Sequence, residues 1–209
     1  MKLKVAAVLA YRYRKWNIGD NMTVVARCEL DGAYKPDPGE EIQPITIRAL
    51  KEYFDPNSRR MTDWRGKLDT QRAAVLATEV KNNAAKLARW TAEAIMAETD
   101  HIKFGFVSRI KSGDNSNHVI LGSQMYRPRD FASQIALNTN KMWGVLKGIL
   151  QLCYKRLADG DKGVLMNDPN KPILRLYRVP DDAFALVIRG AALQLVVLWR
   201  VRRWNAAWT

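Results

Sequence analysis

The chain is poor in the residues that build covalently stapled or metal-held scaffolds. Two cysteines, Cys28 and Cys153, and two histidines, His101 and His118, are all that its 209 residues hold. Both cysteines sit in apolar surroundings, so no disulfide framework is expected and a reducing compartment, the cytoplasm, fits. The histidines are too scattered for zinc-ligand spacing, and no cofactor is expected. Long apolar runs are lacking as well. Val5–Ala10 is followed at once by Arg12, Arg14 and Lys15, and Arg189 interrupts the C-terminal run, so neither a secretory leader nor a membrane span is expected. The GxxxxGK[ST] phosphate loop, the GxGxxG turn and the GxSxG elbow are missing, which removes three large enzyme classes. Acid is the scarcer charge. Against 34 Lys and Arg stand 21 Asp and Glu, and the net charge of +13 points to anionic partners: nucleic acid, the ribosome or an acidic membrane surface.

The positive charge is interleaved with rings rather than gathered in a tail. Arg12, Tyr13, Arg14, Lys15 and Trp16 follow one another, and Tyr126 precedes Arg127 and Arg129. Alternating cation and ring suits an RNA surface, because cations meet phosphates while rings stack on bases. Arg12, Arg14, Lys15, Arg109, Lys111, Arg127 and Arg129 are the basic candidates for it. The structural alternative is a half-exposed strand whose Arg and Lys stems cover apolar surface.

Hydrophobic spacing outlines the elements. Val5–Trp16 and Thr23–Leu30 are predicted as strands across a turn at residues 17–21, and Pro44–Ile47 as a short strand. Tyr34–Glu41 and Asp55–Arg60 read as loops, Ala49–Phe54 as a helical turn, Trp64–Gln71 as a short helix or extended lead-in, and Ala73–Val80 as a strand. Ala84–Glu98 carries Leu87, Trp90, Ala94 and Ile95 at helical spacing. His101–Lys111 and His118–Met125 form a strand pair, and Asp130–Ile135 a short helix. Asn140–Leu157 is a long helix stopped by Gly160. Val164–Met166 and Ile173–Tyr177 close a hairpin. Such a sequence of elements makes a strand-rich, mixed α+β domain with flanking helices, without repeats or low-complexity linkers.

Two charged triplets stand out, Glu29-Leu30-Asp31 and Glu79-Val80-Lys81, each next to an apolar run. If both are strands, residues two apart share a face, so three carboxylates and a lysine would converge wherever the strands are neighbours. Carboxylates beside a lysine are how many nucleases hold Mg²⁺, although one more acid would be expected for a full ligand set. Taken singly, each triplet also reads as a solvated strand face.

Longer runs carry a resemblance. Asp63-Trp64-Arg65-Gly66-Lys67-Leu68-Asp69-Thr70-Gln71-Arg72 leads into Ala77–Asn83 and Lys86–Thr91. Gly105–Arg109, His118–Gly122, Phe131–Ile135 and Asp168–Lys171 follow, with Ala10–Trp16 and Arg27–Gly32 upstream. Across these segments, in order, the chain resembles the d-subunit family of eukaryotic translation initiation factor 3. The resemblance implies a cup-like domain related to the decapping exonucleases, of which residues 1–182 would be the C-terminal part. It implies a non-enzymatic role in holding mRNA by its 5′ cap, with other subunits of initiation factor 3 and the small ribosomal subunit as partners. The decapping relatives carry E-x-D and E-x-K motifs at their metal site, and Glu29, Asp31, Glu79 and Lys81 match these. Here they would persist as an acidic floor suited to a cationic methylated guanine, with no catalytic residue and no bound metal. Tyr34, Trp64 and Tyr126 are the ring candidates for stacking on it. Residues 183–209 depart from the acidic tail usual in the family. They hold four arginines, three tryptophans and no acid, and are expected to reflect a gene-model or reading-frame artefact. Two other functions compete: a metal-dependent decapping or 5′-end hydrolase using the same four residues, and a scaffold subunit that only docks on its neighbours.

Overall fold

In the strand His101–Arg109, alternate side chains are buried: Ile102, Phe104, Phe106 and Ser108 face one way. This period-two pattern is what a sheet covered on one side requires. A computed structural model describes residues 10–53, 63–111, 114–158 and 160–180, together with the backbone of 197–200. Its described residues fall into two compact units, 1–139 and 140–209.

In the first unit, β1 (Ala10–Asn17) and β2 (Thr23–Leu30) form an antiparallel hairpin in which Tyr13 stands opposite Arg27. Gly19, Asp20 and Asn21 turn the chain with positive φ, a conformation that these three residue types tolerate best. A four-stranded sheet follows in the order β3 (Gly32–Tyr34), β4 (Gln43–Lys51), β5 (His101–Arg109), β6 (His118–Tyr126). The β4–β5 pairing is parallel and the other two are antiparallel. A parallel pair needs a long crossover, which α1 (Trp64–Lys67), α2 (Arg72–Asn82) and α3 (Ala84–Ala97) supply; α4 (Pro128–Gln134) follows β6. Their apolar sides meet one face of the sheet. Leu87, Trp90 and Ala94 of α3 join Leu50, Phe104 and Phe131 in a single core, with the Phe104 and Phe131 rings 5.0 Å apart. Two acids of this unit are buried, Glu52 and Glu79, each 5% exposed. The Glu52 carboxylate accepts hydrogen bonds from the Trp64 backbone N–H (2.8 Å) and the Ser108 hydroxyl (2.5 Å), which accounts for a buried serine among aromatics.

The second unit holds α5 (Thr139–Arg156), β7 (Lys162–Asn167), β8 (Leu174–Val179) and β9 (Val197–Arg200), with an antiparallel sheet ordered β8-β7-β9. Cys153 and Leu157 pack with Ile149 and Leu176. Among the described residues, no helix is long and apolar enough to cross a membrane.

The mixed α+β class stands as expected, with three corrections. Ala73–Val80 is helical, being part of α2, not a strand. Alanines at 73, 74 and 77 favour helix, and the buried Val75, Leu76 and Glu79 recur at spacings of three and four. The helical turn predicted over Ala49–Phe54 is strand at 49–51, because β4 runs on through Lys51 and buries Leu50 against the core; residue 54 lies outside the described residues. Tyr34, read as the first residue of the Tyr34–Glu41 loop, instead ends the strand Gly32–Tyr34, which pairs with β4 as β3. The 5–9 part of the first predicted strand, the 55–60 loop and most of the 183–209 tail lie outside the described residues.

Candidate nucleic-acid interface

The helical α2 separates the two members of the second triplet. Residues two apart on a helix are about 200° apart around its axis. Glu79 accordingly points inward and is only 5% exposed, whereas Lys81 is exposed. The Glu79 carboxylate accepts a hydrogen bond from the Asn83 amide at 2.8 Å. Burial pushes its pKa up, against smaller opposing contributions from Asn83 and Lys86.

The first triplet lies elsewhere in its bonding. Glu29 is exposed at the end of β2, opposite Tyr11. Asp31 follows the strand end and turns to β4, where its carboxylate accepts the Ile47 backbone N–H at 2.8 Å and pairs with the Arg48 guanidinium. Arg48 reaches on to Glu93 of α3 at 3.2 Å, and Arg89 meets the other oxygen of Glu93 at 3.5 Å. Three acids therefore do not share a hollow. Among the described residues, no three His, Cys, Asp or Glu side chains come together as a metal-binding group. Where an E-x-K triplet would be looked for on a strand beside Asp31, β4 offers Thr46-Ile47-Arg48. Thr46 is buried and its hydroxyl lies 3.1 Å from that of Thr99. The residues present fit a divalent metal at Asp31 poorly, because the Ile47 N–H and the Arg48 guanidinium take its Oδ2 and the guanidinium charge repels a second cation there.

The basic candidates divide into two groups. Arg12 and Arg14 face α3. Arg12 donates to the carbonyls of Ala97 and Glu98 at 3.2 and 3.0 Å, and Arg14 pairs with the Glu98 carboxylate. Both cations thus sit on the C-terminal end of α3, where free carbonyls and the helix dipole favour positive charge. Lys15 lies on the opposite, exposed side of β1 with Tyr11 and Tyr13. Arg109 is half-buried at the end of β5, while Lys111, Arg127 and Arg129 are exposed. Sequence reading missed Arg27, whose guanidinium stands 4.5 Å from the centre of the Tyr11 ring. It missed Arg48 as well, although an inward-facing arginine on a strand always demands a partner. Of the three ring candidates, Trp64 is buried in the core and Tyr126 packs on Phe104 and Phe131. Tyr34 alone of the three keeps substantial exposure, at 38%.

With this geometry in view, comparison with known proteins is informative. The family model for eukaryotic translation initiation factor 3 subunit 7 matches residues 2–178. The chain belongs to this family. Curated family members include the D subunit of eukaryotic translation initiation factor 3 from Arabidopsis thaliana, 54% identical over 178 residues, covering 85% of this chain and 29% of that protein. The D subunit from Nasonia vitripennis is 50% identical, with 85% and 31% covered. The D-1 subunit from Drosophila melanogaster is 50% identical over 182 residues, with 87% and 32% covered. The chain thus spans about a third or less of the length of these relatives. Its fold is similar to that of Rai1 from Scheffersomyces stipitis in complex with (3′-NADP)+ and calcium ion (TM-score 0.54, 14% identity, 87% of this chain and 44% of that one). Rai1 of Candida albicans in complex with pU5-Mn2+ is similar too (TM-score 0.52, 14% identity, 87% and 44%). At such identities the likeness extends to fold alone.

Proposed function

We propose that this chain is part of a cytoplasmic initiation factor 3 subunit that binds mRNA, including its 5′ cap, and does not cleave it. Its other partners in this reading are further subunits of the factor and the small ribosomal subunit. Family membership and the +13 charge support the RNA and ribosome side of the proposal. The observation that carries the non-catalytic side is Arg48. A guanidinium bridging Asp31 and Glu93 supplies the positive charge there permanently, and it has no open coordination site for an attacking water. The four-residue floor of Glu29, Asp31, Glu79 and Lys81 is replaced in this reading by the Asp31–Arg48–Glu93 bridge. Tyr34, opposite Gln43 and edge-on to His101, stands on the face of the sheet away from Arg48 and is not offered as the stacking ring for a base held at the bridge.

Crosslinking of capped RNA to the protein, with free methylated cap analogue as competitor, tests binding. Competable crosslinks are expected; crosslinks indifferent to the analogue would remove cap recognition, and no crosslink at all would leave only the scaffold role. A hydrolase is the second reading, favoured by the shared fold with Rai1 structures that contain calcium or Mn2+. Incubation with Mn²⁺ or Mg²⁺ and cap-labelled RNA is expected to release no cap. Release that disappears in Asp31→Asn would establish the hydrolase instead.

A further inference from the structure

We propose that the face of the β3–β4–β5–β6 sheet turned away from the helices binds the backbone of single-stranded RNA. The proposal rests on the RNA-binding reading and gives it a surface distinct from the Asp31–Arg48 bridge. No Asp or Glu occurs at any position of these four strands. Their register puts Arg48 on the helix side, level with Phe104, and puts Lys51, Lys103 and Arg109 on the other side. Both histidines of the chain join them there, His101 opposite Ile45 and His118 opposite Arg109. An acid-free face carrying every histidine and three fixed cations is complementary to a polyanion and to little else.

Its relief suits an extended strand. Ala49, Gly105 and Ser123 stand abreast on β4, β5 and β6 and form a low floor. A methyl group added to Gly105 would meet no heavy atom within 4 Å. Lys103 flanks this floor toward one end, and Lys51 and Arg109 toward the other. Lys103 and Arg109 are six residues apart on β5, a run of about 20 Å at strand rise. Apolar contact for riboses and bases is at hand, since Ile47 is 45% and Ile120 71% exposed, with Tyr34 at the margin. The nearest acid in the β5–β6 connection, Asp114, is engaged by Ser116 and Asn117. Duplex RNA presents its phosphates around a wide cylinder, whereas a flat floor with flanking cations takes unstacked bases and one backbone.

The test uses the whole chain and an uncapped, fluorescein-labelled oligouridylate, with affinity followed by anisotropy between 50 and 200 mM salt. Lys51→Gln/Lys103→Gln removes two phosphate contacts, so the slope of log affinity against log salt should flatten by about 1.4. Lys155→Gln, on the exposed side of α5, should leave it unchanged. Gly105→Val fills the floor with a β-branched side chain into open space. It should unfold at no lower temperature than the parent, yet bind about tenfold more weakly through loss of a base contact. An unchanged slope in the double variant, or parental affinity in Gly105→Val, overturns the surface. So does polyglutamate of equal charge competing as well as RNA. If capped RNA still crosslinks competably while these variants behave like the parent, the surface falls and the cap-binding reading stands. Failure to bind any RNA, capped or uncapped, ends both.

Discussion

Replacing Arg48 with methionine keeps most of its apolar stem and removes the guanidinium. Among the described residues, Asp31 is then left with a backbone donor from Ile47, and Glu93 with Arg89. The Arg48 and Asp31 side chains retain 22% and 27% exposure, so their pair lies between a surface ion pair and a buried one. A hydrogen bond to a charged group contributes about 1.5–3 kcal/mol, and partial exposure argues for the low end, near 1.5. The Glu93 arm is more open, with Glu93 46% exposed, and adds about 0.3–0.5 kcal/mol. Arg48→Met should therefore cost about 2 kcal/mol, or about 6–8 °C in Tm for a unit of this size. Urea unfolding of the parent, Arg48→Met, Asp31→Asn and the double variant closes a cycle that isolates the Arg48–Asp31 coupling. A coupling of about 1.5 kcal/mol is expected. A value within about 0.3 kcal/mol of zero would refute the bridge, because distant independent sites add within that margin.

Other substitutions read different parts of the molecule. Arg12→Ala strips the C-terminal carbonyls of α3 of their cation and should cost about 1 kcal/mol, while Lys15→Ala on the exposed side of β1 should cost almost nothing in the same unfolding assay. Glu79 has a raised pKa through burial, so the folded state holds its proton more tightly than the unfolded chain does. Stability should consequently fall as pH rises from the ordinary carboxylate range through Glu79's higher value, and Glu79→Gln should flatten that slope in urea titrations from pH 4 to 7. Gly163→Ala on β7 would place a methyl 2.7 Å from Leu157 Cδ1 and 3.3 Å from Leu176 Cδ1, and overpacking of this kind should cost about 1–3 kcal/mol.

The helices with an apolar stripe were legible in the sequence. Leu87, Trp90 and Ala94 predicted α3 almost to its bounds, and β5 and β6 followed from their flanking polar turn. The α2 segment was misread because a short apolar run has no period that separates strand from helix. Its length of 11 residues and its alanines were the signals that should have decided it. The parallel pairing of β4 with β5 could not be seen, since it joins residues some fifty positions apart and is fixed by the core beneath them. The candidate site suffered from the same cause. Once Glu79 and Lys81 moved onto a helix, their match to a strand motif no longer placed them beside Asp31. Arg48 took that position instead, visible beforehand only as a single charge at an inward step of β4. Likewise Arg12 and Arg14, basic and near aromatics, were legible as cations but not as caps for a helix end more than eighty residues away.

Divalent-ion binding tests the account of Asp31 most directly, because the Ile47 N–H and the Arg48 guanidinium already take its Oδ2 and the guanidinium charge opposes a second cation beside it. Electron paramagnetic resonance of Mn²⁺ titrated into the protein should show free ion throughout, with Asp31→Asn indistinguishable from the parent. A stoichiometric bound signal in the parent that vanishes in Asp31→Asn would contradict it.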